Sequence, residues 1–142
     1  MTKEETAVKL TELFPQKAIA LTQHYAGYNG QLLAHIFFAD EINIPLLALL
    51  QSNHDKSLIR KYCSFVEKMY YNGNEDVKNV VDVTILEQLS DDETIWRNFG
   101  TYISNDFICE INTVLIPQNT MLPNRPLSYN KRRTRKKTED VL

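Results

Sequence analysis

The sequence predicts an all-α fold of about six helices, and three observations predict it. Only four glycines occur in 142 residues, too few for the turns of a sandwich or barrel of many short strands. Residues 57–71 repeat apolar side chains at three- and four-residue spacing, the helical period. Residues 74–89, NEDVKNVVDVTILEQL, form the longest run of large apolar residues between clear stop signals, with no Gly or Pro inside it. Wound at 100° per residue, Val77, Val80, Val81, Thr84 and Ile85 fall on one side, and Val83, Leu86 and Leu89 continue most of the way round. The β-branched run 80–85 also suits a strand, but the uninterrupted length favours a helix. A helix apolar nearly all round is buried by neighbours on several sides, so this segment is expected in the middle of a bundle.

The other elements follow in order. Residues 4–14 read as a first helix, with Thr2 and Glu5 in capping-box positions, and Pro15 breaks it. Residues 16–26 form a second short helix with Ala18, Ile19, Leu21 and Tyr25 as its apolar side. Gly27-Tyr28-Asn29-Gly30 is a turn by composition. In 31–41, Leu32, Leu33, Ile36, Phe37 and Phe38 are core candidates. Asn43-Ile44-Pro45 marks a break, because the residue before proline avoids helical angles, and 46–50 resumes as helix. After the polar loop 51–55, residues 57–71 bury Leu58, Ile59, Tyr62, Cys63, Phe65, Val66, Met69 and Tyr70 and turn Arg60, Lys61, Ser64, Glu67 and Lys68 outward. Gly73 supplies a C-terminal cap. Ser90 and Glu93 fit a second capping box, and Ile95 to Ile111 give a long apolar face with Gly100 marking a kink or a close crossing. The later helices could pack as antiparallel hairpins, like the units of an α-solenoid, or as an irregular bundle. The helical domain is expected over 1–116, and 117–142 as a proline-containing linker and disordered basic tail.

At this length one domain with a real core is expected. No window approaches a membrane span, and the acidic start MTKEETAVKL lacks the pattern of a signal peptide. Cys63 and Cys109 form no disulfide framework or metal pattern; both lie in apolar stretches, where buried structural thiols are expected in a cytoplasmic protein. Charge is divided. Residues 131–137 hold six of the sixteen basic side chains, whereas residues 1–128 hold ten basic against sixteen acidic ones. The body is acidic and the tail basic.

The stretch LLAHIFFADEINIPLLALL, the helix 57–71 and NEDVKNVVDVTILEQLSDDETIW together resemble a family of small uncharacterised bacterial helical proteins, similar in build to the HEAT-like immunity proteins of polymorphic toxin systems. The resemblance covers roughly residues 31–116. It implies a short HEAT-like array acting as an adaptor or toxin-neutralising protein, not an enzyme, and it carries over no catalytic residue.

The chemistry-bearing residues agree with that implication. There is no glycine-rich phosphate loop, GxSxG, HExxH or CxxC. His24, His35 and His54 stand without ligand-like partners; the nearest case is His35 with Asp40 and Glu41. No cofactor or metal is expected. Asp91, Asp92 and Glu93 form the densest acidic cluster, read either as a helix cap with solvated charge or as part of an acidic face for a basic protein partner. Asp40, Glu41, Glu75 and Asp76 add to that face if those helix ends lie together, with Trp96 as an interface anchor. The alternative partner is nucleic acid, held through Lys131, Arg132, Arg133, Arg135, Lys136 and Lys137; no aromatic residue interrupts that run, so base stacking is not supported there. The first reading is a non-enzymatic interaction module of immunity type; the second is a nucleic-acid-associated protein. Oligomeric state is left open.

Overall fold

In the computed structural model, residues 1–115 together with Leu122 and Pro123 are described. Among them the chain is all-α, with seven helices and no strand. α1 (Lys3–Leu13) starts on the expected capping box: Glu5 N donates to Thr2 Oγ1 at 3.1 Å and Thr2 N donates to Glu5 Oε1 at 2.9 Å. It ends at Phe14, which is buried and stacks on Tyr62 with ring centroids 4.4 Å apart. A 3₁₀ turn, Pro15–Lys17, leads into α2 (Ala18–Gly27). Here the expected apolar side is not a core face. No residue of α2 is buried and Ile19 is 68% exposed; Leu21 and Tyr25 pack only partly against the core. The turn after α2 is the expected one, with Asn29 at φ 57° and Gly30 at φ 78°.

α3 is built from Ala34–Phe38, a π-helical turn Ala39–Asn43, and Ile44–Ser52. The break expected at Asn43-Ile44-Pro45 is not a break. The backbone stays right-handed helical through Asn43 (φ −62°, ψ −48°) and Ile44 (φ −59°, ψ −53°). Proline in a helix removes one backbone donor and crowds the carbonyl four residues back; the wider π turn immediately before Pro45 accommodates both within a continuous helix. α3 ends on Asn53, whose left-handed φ of 55° caps it.

α4 (Lys56–Asn72) is capped by Asp55, which accepts from Leu58 N at 3.2 Å. Its inner face matches the sequence reading from Ile59 through Tyr70. Gly73 follows it with φ −82° and ψ 156°, an extended conformation, not the left-handed cap expected. The reason for glycine there is space. A Cβ at 73 would lie 2.3 Å from Met69 O and 2.5 Å from Val77 Cγ1.

α5 is Glu75–Val80, a second π-helical turn Val81–Leu86, and Glu87–Leu89. It is a helix, as length argued, capped by Asn74, which accepts from Val77 N at 3.1 Å. Its apolar residues are not buried all round: Val77, Val80, Val81, Ile85, Leu86 and Leu89 are buried, whereas Val83 is 46% exposed. α6 (Glu93–Gly100) is capped by Asp92, which accepts from Ile95 N at 3.0 Å. Ser90 Oγ donates instead to Glu87 O, so the cap sits two residues later than the capping box predicted. The long face expected from Ile95 onward is split after Gly100, because Ser104 caps a new helix, α7, formed by Asn105–Glu110 and a third π-helical turn, Ile111–Leu115. Gly100 marks a close approach as well, since a Cβ there would lie 3.1 Å from Leu122 Cδ2. Leu122 is buried and held to Asn112 by two hydrogen bonds, of 2.8 and 2.9 Å. The other residues from 116 onward, including the cations of 131–137, lie outside the described residues.

The arrangement that matters for function is the pairing of α3 with α5. Ala34–Phe38 packs against Glu75–Val80, and the π turn of α3 packs against the π turn of α5. The two helices therefore run side by side in the same direction, with α4 returning between them.

Candidate interaction surface

A polar seam joins α3 to α5. Asn43 is fully buried and donates from Nδ2 to Thr84 O at 3.0 Å and to Gln88 Oε1. Nearer the surface, His35 Nδ1 is 2.6 Å from Thr84 Oγ1, and its Nε2 is 3.5 Å from Asn79 Nδ2. Each bond joins one helix to the other, so together they fix the register of the pair. His35 is thereby engaged by Thr84 and Asn79. Asn43 Oδ1 is buried without a partner in this structure.

On the solvent side of the seam lies an apolar strip. Leu33 is 36% exposed, Ile36 43%, Ile44 62% and Val83 46%. On α3, Ile36, Asp40 and Ile44 recur every four residues and all three are exposed, which places them along one side of the helix. Val83 lies one turn beyond Asn79 on α5. Carboxylates accompany the strip: Asp40 lies between Ile36 and Ile44 on α3, Asp76 lines the groove beside Ile36, and Glu87 lies four residues beyond Val83 on α5; Asp82 lies toward Tyr70. Partial burial, and then the neighbouring charge of Glu87, raises the Asp82 carboxyl above its ordinary value. A groove of about 370 Å³ opens at the start of the pair. Leu33, Ile36 and Val80 line it with His35, Asp76 and Asn79, and Lys3 of α1 lines it as well.

The acidic residues singled out from sequence do not form one patch. Asp40, Glu75, Asp76, Asp91, Asp92 and Glu93 are exposed. Glu75 and Asp76 open α5, however, while Asp91 to Glu93 follow its last turn, about 20 Å away at 1.5 Å per residue. Glu41 is half-buried and paired with Lys17 at 3.2 Å. Asp92 is used as a cap, and Glu93 is paired with Arg97 at 2.7 Å. Trp96 is buried and stacked on Phe99, so it belongs to the core and is not presented as a surface anchor. Asp40 and Asp76 thus border the apolar strip; Asp91 to Glu93 stand at the far end of α5.

Sequence reasoning missed Leu33, Ile36, Ile44, Val83 and Glu87 as surface candidates. It took Leu33 and Ile36 for core. The available signal was a second apolar line on α3, at 33, 36 and 44, in addition to the buried line at 34, 37, 38, 42 and 46. A helix that carries two such lines has one more than its own core contact needs.

Elsewhere the polar groups serve the fold. Cys63 is buried, and burial pushes its thiol well above the usual range, so it is protonated at neutral pH. Cys109 is exposed, contrary to the buried thiol expected. His24 Nε2 accepts from Leu33 N at 3.0 Å and anchors the segment entering α3. A more open concavity of about 490 Å³ lies between α4 and the link from α6 to α7, where Glu67 accepts from Ser104 N and Oγ at 3.1 and 2.5 Å. Among the described residues, no three His, Cys, Asp or Glu side chains converge as a metal-binding group, and no helix is long and apolar enough to cross a membrane.

These observations define an all-α protein whose most distinctive surface is an acid-flanked apolar strip on two parallel helices. The chain belongs to the family described as Domain of unknown function (DUF7674), which matches residues 7–115 and so spans both helices of that surface. No curated protein and no solved structure matches the chain.

Proposed function

We propose that this protein is a non-enzymatic, cytoplasmic interaction module that binds and blocks a protein partner, in the manner of an immunity protein neutralising a toxin. The observation that carries this reading is the exposure of Ile36, Ile44 and Val83 on adjacent helices with the exposed Asp40, Asp76 and Glu87. Interfaces combine an apolar centre with a polar rim, and an exposed apolar strip edged by charge is a common mark of a protein-binding site. The carboxylates favour a partner with a basic surface, both by steering the encounter and by rejecting acidic competitors. Asp91 to Glu93 extend the acidic field beyond the end of α5 and act here through steering.

The test is co-expression with the product of the adjacent reading frame. Wild-type chain is expected to co-purify with it and to relieve any growth defect it causes. Ile36→Asp, with an unchanged circular dichroism spectrum and thermal midpoint, is expected to do neither. Equal behaviour of the two proteins contradicts this placement of the interface.

A second reading is kept because six cations crowd into residues 131–137. A run of that density neutralises several phosphates and binds nucleic acid in a salt-dependent way. Mobility shift at low and high salt, with and without residues 131–142, decides it. Identical behaviour of the full-length and shortened proteins removes the nucleic-acid reading.

A further inference from the structure

The groove at the start of the α3–α5 pair has a composition more specific than that of the surface around it. Its apolar part comes from Leu33, Ile36 and Val80, and its polar part from His35, Asp76 and Asn79. At about 370 Å³ it has room for a whole apolar side chain from another molecule. His35 and Asn79 are braced by the seam, since His35 is fixed on Thr84 and Asn79 approaches its other ring nitrogen. The groove is therefore held open by the same bonds that set the helix register, and a guest need not order it first. Asp76 is exposed, and among the described residues no basic group lies within ion-pair distance of it. Its carboxylate is available to an incoming cation, and Glu75 beside it adds to the field.

From this composition and charge we infer that the groove is the specificity pocket of the surface, and that its occupant is a leucine-sized apolar side chain from a basic amphipathic protein segment whose Arg or Lys one turn away meets Asp76. This rests on the interaction reading above and deepens it by naming the chemistry of the partner. The exposed line of Ile36, Ile44 and Val83 continues from the groove along the pair, which suits successive apolar residues on one face of a docked helix. Lys3 also lines the groove and makes a further demand. It repels a cation, so the basic residue of the guest must reach Asp76 away from the Lys3 ammonium.

The test is a fluorescence-anisotropy titration of the full chain with three labelled peptides of equal length. One alternates leucine and arginine with helical amphipathic spacing, one replaces every arginine by glutamate, and one replaces every leucine by serine. The leucine–arginine peptide is expected to bind, with the serine–arginine peptide about tenfold weaker and the leucine–glutamate peptide not binding. Ile36→Ser is expected to lose about tenfold toward the leucine–arginine peptide. Asp76→Asn is expected to weaken it about twofold to fivefold and Lys3→Gln to strengthen it by a similar factor. Absence of leucine–arginine binding overturns the inference. So does equal binding of the leucine–arginine and serine–arginine peptides with no effect of Ile36→Ser; in that case the acidic surface still binds cations, and the interaction reading stands without its pocket. Equal or tighter binding of the leucine–glutamate peptide overturns both.

Discussion

Gly73 shows how a residue can be read correctly for the wrong reason. Its position after an amphipathic helix signals a cap, and helix α4 does end there. The backbone is nevertheless extended, and the glycine is required because Met69 O and Val77 Cγ1 would both lie within 2.5 Å of a Cβ. Gly73→Ala is therefore expected to destabilise the fold by about 2 kcal/mol or more. Gly27→Ala, with nothing within 4 Å of the added carbon, is expected to be neutral or stabilising by up to about 1 kcal/mol. Urea unfolding of the two variants checks the contrast. Tyr70 gives a second test at this scale. Its hydroxyl donates to Glu110 Oε2 at 2.5 Å, and burial, followed by that bond, lifts its pKa from 10.0 to about 12. Below the unfolded value both states hold a neutral phenol. As pH rises from about 10 to about 12 the unfolded chain loses the proton first, so stability falls across that window. The urea midpoint is expected to drop between about pH 10 and about pH 12, and Tyr70→Phe to lessen the drop. It does not abolish it, because burial raises the Tyr71 phenol as well.

Helix type was legible along the chain because apolar spacing repeats with the helical period, and Thr2 with Glu5 and Asn74 give caps that a sequence displays openly. What local pattern did not convey was how a helix absorbs an awkward residue. Pro45 reads as a stop from its neighbours alone, yet a π turn carries α3 past it, at the level where α5 has its own π turn. The cap of α6 was misplaced for a related reason. Ser90, Asp91 and Asp92 are all competent caps, and only the path of the chain leaves Asp92 extended at φ −119° and ψ 122° with Ile95 N in reach. Asp92→Ala is accordingly expected to cost about 1 kcal/mol, and Ser90→Ala less than about 0.5 kcal/mol. Thermal unfolding of the two variants compares them, and the reverse order would show that the capping box starting at Ser90 operates in solution.

For the molecule as a whole, the sequence carried the acidic balance and the all-α class, and left the surface unplaced. Periodicity assigns apolar residues to faces but does not say which face meets a neighbour. Leu33 and Ile36 lie beside a correctly assigned core line and were drawn into it, while the fully apolar look of α5 concealed Val83. Charge clustering in sequence misled in the other direction. Asp91 to Glu93 are the densest carboxylates, but Asp92 is spent on a cap and Glu93 on Arg97. The more telling acids, Asp76 and Glu87 on α5 and Asp40 on α3, are not clustered in sequence, and Asp40 joins the other two only through the parallel run of α3 and α5. The central claim is that this gathered face receives a protein partner. Zero-length carbodiimide coupling in the native host, followed by peptide mapping, tests it most directly, because it joins carboxylates to lysines in direct contact. Intermolecular links from Asp40, Asp76 and Glu87 are the predicted result; links confined to carboxylates elsewhere, such as Glu12 and Glu110, would contradict it.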